Sequence, residues 1–165
     1  MKKIIFVRHG RAEDQSPEIT DFERSLTIKG KVIARQMAKI FVLTEKNPGL
    51  YISSPAFRAL ETALVFAGVA ELKPEKIKID SNLYYRASLN HVLDLIRDTD
   101  EKVNSVTLFG HNPAFTEIPD RLSANGCEFV TKTSIVCISF DVRLWNEVKP
   151  GNGKIEYFLK PEKQI

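Results

Sequence analysis

Cysteine is scarce in this 165-residue chain, and the little there is excludes several chemistries. Cys127 and Cys137 are the only two. They lack C-x-x-C spacing, so neither a disulfide framework nor a zinc ribbon is expected. Long apolar runs are missing as well, and no stretch approaches the length of a membrane span. Lys2 and Lys3 are followed by only four apolar residues, Ile4 to Val7, before Arg8. That is too short for a secretory leader, so a cytoplasmic protein with no membrane partner is expected. An excess of one charge is also lacking. A net charge of +3 is too small to argue for nucleic acid or an acidic membrane surface. Histidine occurs three times, at His9, His91 and His111, with neither H-x-x-x-H nor H-E-x-x-H spacing, which disfavours a zinc hydrolase. What remains is 43% hydrophobic and 27% charged, ordinary for a globular protein. A length of 165 residues suits one domain over 1–165 with a real core.

Ile4-Ile5-Phe6-Val7 reads as a short strand buried on both faces, as in a parallel sheet. Its carboxyl end delivers Arg8 and His9, and Gly10 permits a sharp turn. In open α/β sheets ligands bind beyond the strands' carboxyl ends. A cation beside an imidazole there suits an anionic substrate and a nucleophile or acid/base. A charged flank of a first strand is the plainer alternative. The polar stretch Arg11 to Ser25 is long for a connection in a compact domain, and such loops tend to be functional or mobile.

Thr27 caps a predicted helix from Ile28 to about Thr44, with Ile28, Val32, Ile33, Met37, Ile40 and Phe41 at helical spacing. Gly30 should weaken its first turn slightly. Leu50 to Ser53 is a second strand. Ser54 and Pro55 then open a helix to about Ala67, as cap and first helical position. Arg58 falls in its opening turn, near a ready anion site, although a surface arginine paired with Glu61 or Glu71 is the simpler reading. Ile77 to Ile79 is a weak third strand, and Leu83 to Ser88 connects it to a helix over Leu89 to Asp98. His91 on that helix reads as a surface or packing residue. Ser105 to Phe109 is a buried strand ending in Gly110-His111-Asn112-Pro113, with Asn112 as cap and Pro113 opening a helix to about Ser123. His111 thus reaches the same rim as His9. Ile135 to Phe140 and Ile155 to Leu159 lack a crossover helix between them and should pair antiparallel. The expected fold is a three-layer α/β/α domain, its central sheet mostly parallel with an antiparallel edge pair near the C-terminus.

Three motifs then stand together: Arg8-His9-Gly10 after the first strand, Ser54-Pro55-Ala56-Phe57-Arg58-Ala59-Leu60-Glu61-Thr62-Ala63 after the second, and Gly110-His111-Asn112-Pro113 after the fourth. With Leu26-Thr27-Ile28-Lys29-Gly30, they make the chain resemble the histidine phosphatase, or phosphoglycerate-mutase-like, superfamily. Its short length and the Arg8 to Ala12 form most resemble the compact SixA-like phosphohistidine phosphatases. The resemblance implies that His9 is the nucleophile, phosphorylated and then hydrolysed. Arg8, Arg58 and His111 would bind the phosphoryl oxygens, with Asn112 beside them in the substrate site. No metal or other cofactor is implied. The implied partner is a phosphohistidine-bearing protein or a small phosphoester, met by a monomer. A phosphate-binding module without turnover would need only the cations, so His9 speaks for an enzyme.

Two departures qualify the likeness. Arg11-Ala12-Glu13 replaces the acidic residue, small residue and later asparagine of larger members. Ser81 to Arg86 carries no acid where many members have a general acid; Glu13, Asp14 or another loop carboxylate could substitute. A cysteine phosphatase is disfavoured, because Cys137 to Arg143 fits C-x-x-x-x-x-R but alternates like a strand and lacks the glycines of a phosphate loop.

Overall fold

The structure is a computed structural model, described over residues 1–162. Six strands form one sheet: β1 (Lys2–Arg8), β2 (Leu50–Ser53), β3 (Lys78–Ile79), β4 (Ser105–Gly110), β5 (Ile135–Phe140) and β6 (Lys154–Leu159). Their order is β3-β2-β4-β1-β5-β6. Pairings are parallel from β3 through β2 and β4 to β1, and antiparallel from β1 through β5 to β6. The helices are α1 (Ile28–Thr44), α2 (Phe57–Val69), the single turn α3 (Asn82–Tyr85), α4 (Leu89–Arg97) and α5 (Ala114–Leu122). The expected α/β architecture, with its antiparallel pair near the C-terminus, is what the chain adopts. No helix among the described residues is long and apolar enough to cross a membrane.

Alternation along β1 explains the layers. Ile4 and Phe6 face one side with Leu108, Val136 and Ile138, under α4 and α5. Ile5 and Val7 face the other with Phe109 and Cys137, under α1 and α2. A strand in the middle of a three-layer domain is apolar on both faces, as the run Ile4 to Val7 indicates.

The bounds of α1 match the expectation, and the Thr27 hydroxyl accepts from the Gly30 N–H at 3.0 Å. Its buried face does so only in part, at Met37 and Phe41. Ile28 is 84% exposed, and Val32 and Ile40 are also exposed, whereas Gly30, Ala34, Met37, Ala38 and Phe41 are buried. Small residues line this stripe and the Ala59-Ala63-Ala67 stripe of α2, so close helix approach chose the face rather than side-chain size. Gly30 serves that approach. A Cβ there would run into the Arg11 carbonyl, which also accepts from Thr27 N–H at 2.9 Å.

Two expected caps also differ. α2 begins at Phe57 with no side-chain cap at Ala56; the Ser54 hydroxyl, two residues earlier, accepts from the Ala56 N–H itself. Asn112 does not cap α5; Pro113 precedes the helix, and the Asn112 amide binds Val130 and Thr116.

Gly30 gives a test whose sign separates helix propensity from packing. In an exposed helix, Gly→Ala would stabilise by about 1 kcal/mol. Against the Arg11 carbonyl, Gly30→Ala is expected to destabilise by roughly 1–3 kcal/mol, read as a lower urea midpoint at unchanged slope.

Candidate active site

The carboxyl ends of β1 and β4 lie level, with Arg8 paired to Gly110. His9 N–H donates to the Gly110 carbonyl at 3.0 Å, so the strand end carrying His9 is pinned to the one carrying His111. The next turn is tied to α2. Gly10 N–H donates to Thr62 Oγ1 at 3.1 Å, and that hydroxyl donates to the Arg58 carbonyl at 2.7 Å. On the other side, Thr133 N–H reaches the carbonyls of Arg8 and His9 at 3.0 and 3.2 Å. Thr62 and Thr133 were not singled out from sequence, although Thr62 lies inside the second motif.

The sequence does not identify what orients His9; the structure gives the Gly10 carbonyl, 2.7 Å from His9 Nδ1. A carbonyl only accepts, so Nδ1 carries the proton and Nε2 keeps its lone pair. Arg58 Nε lies 3.4 Å from that Nε2. Burial pushes the His9 pKa down to about 4, and the charges of Arg58, Arg8 and Lys132 add to this against the opposing Gly10 hydrogen bond. The imidazole is therefore neutral at neutral pH.

His111 stands with its ring centre 5.1 Å from that of His9. Ser54 Oγ is 2.8 Å from His111 Nε2 and accepts from Ala56 N–H at 3.2 Å. Where that hydroxyl donates to Nε2, the His111 ring carries its proton on Nδ1. Nδ1 is buried and has no protein partner among the described residues. Burial, then His9 and Arg58, push the His111 pKa down to about 3. Arg8 donates to the Val130 carbonyl at 3.0 Å. Arg58 and His111 thus stand against one neutral imidazole, and Arg8, its neighbour in sequence, keeps a buried Nε–H without a protein partner among the described residues.

Arg58 is no surface arginine. It is 7% exposed, and its partner is neither Glu61, which accepts from Leu26 N–H, nor Glu71, but Asp21 of the long polar loop. Arg58 Nη1 donates to the Asp21 carbonyl at 2.6 Å and Nη2 to Asp21 Oδ2 at 3.0 Å. Beside this pair opens a cavity of about 390 Å³, walled by Tyr84, Tyr85, His111, Pro113 and Glu117 among others. Asn112 also lines it; its Nδ2 gives one N–H to the Val130 carbonyl at 3.0 Å, and its Oδ1 accepts from the Thr116 hydroxyl at 3.1 Å. Partial burial works against ionising Asp21, yet hydrogen bonds from Tyr84, Arg24 and Arg58 hold its carboxyl well below the usual range.

Glu13 and Asp14 are exposed, and Glu13 accepts from Ser25 N–H; neither lines the cavity. His91 is committed to Asp80 at 3.0 Å. Cys137 lies in the core on β5, its thiol pushed up to about 12 chiefly by burial, so it offers no thiolate.

Two histidines held neutral make stability depend on pH. The unfolded chain takes up protons near pH 6.5, whereas the folded chain resists until about 4 at His9 and about 3 at His111. Between those limits the unfolded state binds more protons, so stability falls as pH falls. The melting temperature is expected to be flat above pH 7 and to drop from pH 6.5 towards 4. His111→Gln should flatten that drop; an unchanged slope would contradict the burial effect.

No family model matches the sequence. An uncharacterised chloroplastic protein of Arabidopsis thaliana is 23% identical, over 99% of this chain and 80% of that protein. Among solved structures, one named as phosphohistidine phosphatase SixA of Agrobacterium tumefaciens superposes with TM-score 0.79 at 21% identity, over 97% of this chain and 98% of that one. A protein histidine phosphatase SixA complexed with tungstate gives 0.79 at 23% identity, over 96% and 97%. A mycobacterial glucosyl-3-phosphoglycerate phosphatase gives 0.65 at 16% identity, over 94% and 97%. These likenesses establish the architecture, and the chain has the fold of the histidine phosphatases in its compact SixA-like form.

Proposed function

We propose that the protein is a metal-independent phosphatase that works through a phosphohistidine on His9. The observation that carries this reading is the neutral His9 ring, fixed by the Gly10 carbonyl with Nε2 unprotonated and facing Arg58 Nε, and with the centre of the His111 ring 5.1 Å from its own. Binding an anion needs the cations alone; a buried imidazole presenting a lone pair among them suits a nucleophile. Nε2 attacks phosphorus, the bond to the leaving group breaks, and that group departs with its electron pair. Water then attacks the phosphorus of the phosphohistidine, releasing phosphate and returning the pair to Nε2. Arg8, Arg58 and His111 stabilise the equatorial oxygens in both steps, and the arginines supply the charge that a metal would otherwise bring. The tungstate complex of a protein with this fold accords with an oxyanion site.

The preferred substrate class is phosphohistidine on a protein. Expelling an alkoxide, whose conjugate acid has a pKa of roughly 16, needs a proton from the enzyme. An imidazole leaving group, with a pKa of ~6.5, takes its proton from solvent. Asp21 is the carboxylate nearest the phosphoryl-binding arginine, and it is held ionised by three donors, so it has no proton to give. General-acid catalysis contributes about 10²–10⁴-fold, and its lack penalises alkyl esters most. Glu117, exposed on the same cavity wall, is the carboxylate that a second reading, as a small-molecule phosphomonoesterase, calls upon.

His9→Ala is expected to abolish turnover with the fold intact, and rapid quench of the wild type should trap acid-labile, base-stable phosphate. Near-wild-type activity in that variant overturns the nucleophile assignment. Arg58→Ala should lower kcat/KM by about 10²–10³, on the scale of one lost oxyanion donor, with EDTA without effect on the wild type. The substrate class is tested by kcat/KM for a phosphohistidine protein against an alkyl phosphomonoester at neutral pH. Preference for the protein is expected; equal or greater efficiency on the ester, lost in Glu117→Gln, establishes the second reading instead.

A further inference from the structure

We propose that Asp21 is a positioning residue for the phosphoryl-binding arginine, turning one edge of the Arg58 guanidinium towards His9 by occupying the other. This role rests on the phosphatase reading above. A guanidinium offers two bidentate edges, an end formed by Nη1 and Nη2 and a side formed by Nε and Nη2. Asp21 takes the end, with its carbonyl on Nη1 at 2.6 Å and its carboxylate on Nη2 at 3.0 Å. The side edge is the one that looks at the nucleophile, with Nε 3.4 Å from His9 Nε2. A phosphoryl group arriving at Nε2 therefore meets Nε–H and the second Nη2–H without displacing Asp21.

Asp21 can set that direction because it is itself fixed. Its Oδ2 also accepts from the Tyr84 hydroxyl at 2.6 Å, and its Oδ1 accepts from Arg24 Nη1 at 2.8 Å. The turn that carries it is docked independently. Phe57 N–H donates to the Phe22 carbonyl at 3.0 Å, and the Phe22 ring packs 5.8 Å from Phe57 and 5.4 Å from Tyr84. Tyr84 closes the frame, with its ring 6.0 Å from the Arg58 guanidinium and 5.5 Å from His111. The Asp21 charge also offsets part of the positive charge gathered at Arg58, which lets two arginines and two histidines share one buried rim.

The test uses steady-state hydrolysis of p-nitrophenyl phosphate and inhibition by vanadate, with the fold of each variant checked by its melting temperature. Asp21→Ala is expected to lower kcat about tenfold or more with KM within about threefold, since aligned contacts count most in the transition state. Asp21→Asn, whose amide oxygen can still accept from Arg58, should recover most of that rate. If Asp21 acts through Arg58, adding Asp21→Ala to Arg58→Ala should cause no further loss. An Asp21→Ala enzyme as fast as the wild type, tighter vanadate binding in that variant, or an undiminished loss on top of Arg58→Ala overturns the proposal. Should Asp21→Ala fail to fold, Tyr84→Phe removes one anchor of the carboxylate and is expected to show the same dependence on Arg58. Wild-type rates in both His9→Ala and Arg58→Ala would refute the phosphatase reading itself. Loss in those two with none in the Asp21 variants refutes only the positioning role.

Discussion

One hydrogen bond sets the terms for the rest of the site, that from His9 Nδ1 to the carbonyl of Gly10, the next residue along. It fixes the tautomer, and with it which nitrogen holds a lone pair among the cations. The bond depends on where the Gly10 peptide points, and that peptide is held from three sides. Thr62 anchors the Gly10 N–H, Thr133 takes the carbonyls of Arg8 and His9, and Gly110 receives the His9 N–H. The hydrogen bond favours a protonated ring, whereas burial and the neighbouring arginines disfavour it, and the disfavouring influences win. A ring that is both oriented and neutral results from that contest.

The second motif acts as a single mechanical unit. Ser54 reaches back to His111, Arg58 reaches forward to His9, Ala59 and Ala63 let α1 approach, and Thr62 returns to Gly10. All five lie between Ser54 and Ala63, so α2 and the turn that leads into it carry the geometry of the rim. Just before its N-terminus Ser54 serves two partners at once, accepting from Ala56 N–H and lying 2.8 Å from Nε2 of the histidine on another strand.

Much of this was legible from residues alone, and the failures have a common physical cause. Ile4 to Val7 declared a strand buried on both faces, Thr27 declared the start of α1, and the three motifs placed Arg8, His9, Arg58 and His111 at one sheet edge. Those features are local, or recur at strand ends where topology brings them together. Periodicity misjudged part of the face of α1 because it weighs large side chains. Gly30, Ala34 and Ala38 are buried for being small, while Ile28 and Val32 stay outside. Asn112 has the spacing of a cap, yet α5 starts one residue later, and its side chain binds the Val130 carbonyl, 18 positions away, and the Thr116 hydroxyl. Asp21 could not be found by pattern at all. It lies in a loop of fifteen residues without helical or strand periodicity, and its partner Arg58 is 37 positions away.

The same cause explains why the polar loop is long. A strand end can present a histidine and an arginine from its own sequence, but the rim collects positive charge faster than secondary structure can offset it. Helix and strand positions near the rim are already used for packing, as at Ala59 and Phe109, or for donors, as at Arg58 and His111. A counter-charge must therefore arrive from a segment free of such duties and long enough to reach across the sheet edge. The Arg11 to Ser25 segment meets both needs. It is tied down at its base by Glu13 N–H to the Ser25 carbonyl and Thr27 N–H to the Arg11 carbonyl, each at 2.9 Å, and at its far turn by Phe22 against Phe57 and Tyr84. Between those anchors Asp21 is presented to Arg58 as firmly as any residue of the sheet. The long loop thereby brings one carboxylate to the cations of the rim, at the end of the Arg58 guanidinium that its Nε contact with His9 leaves open.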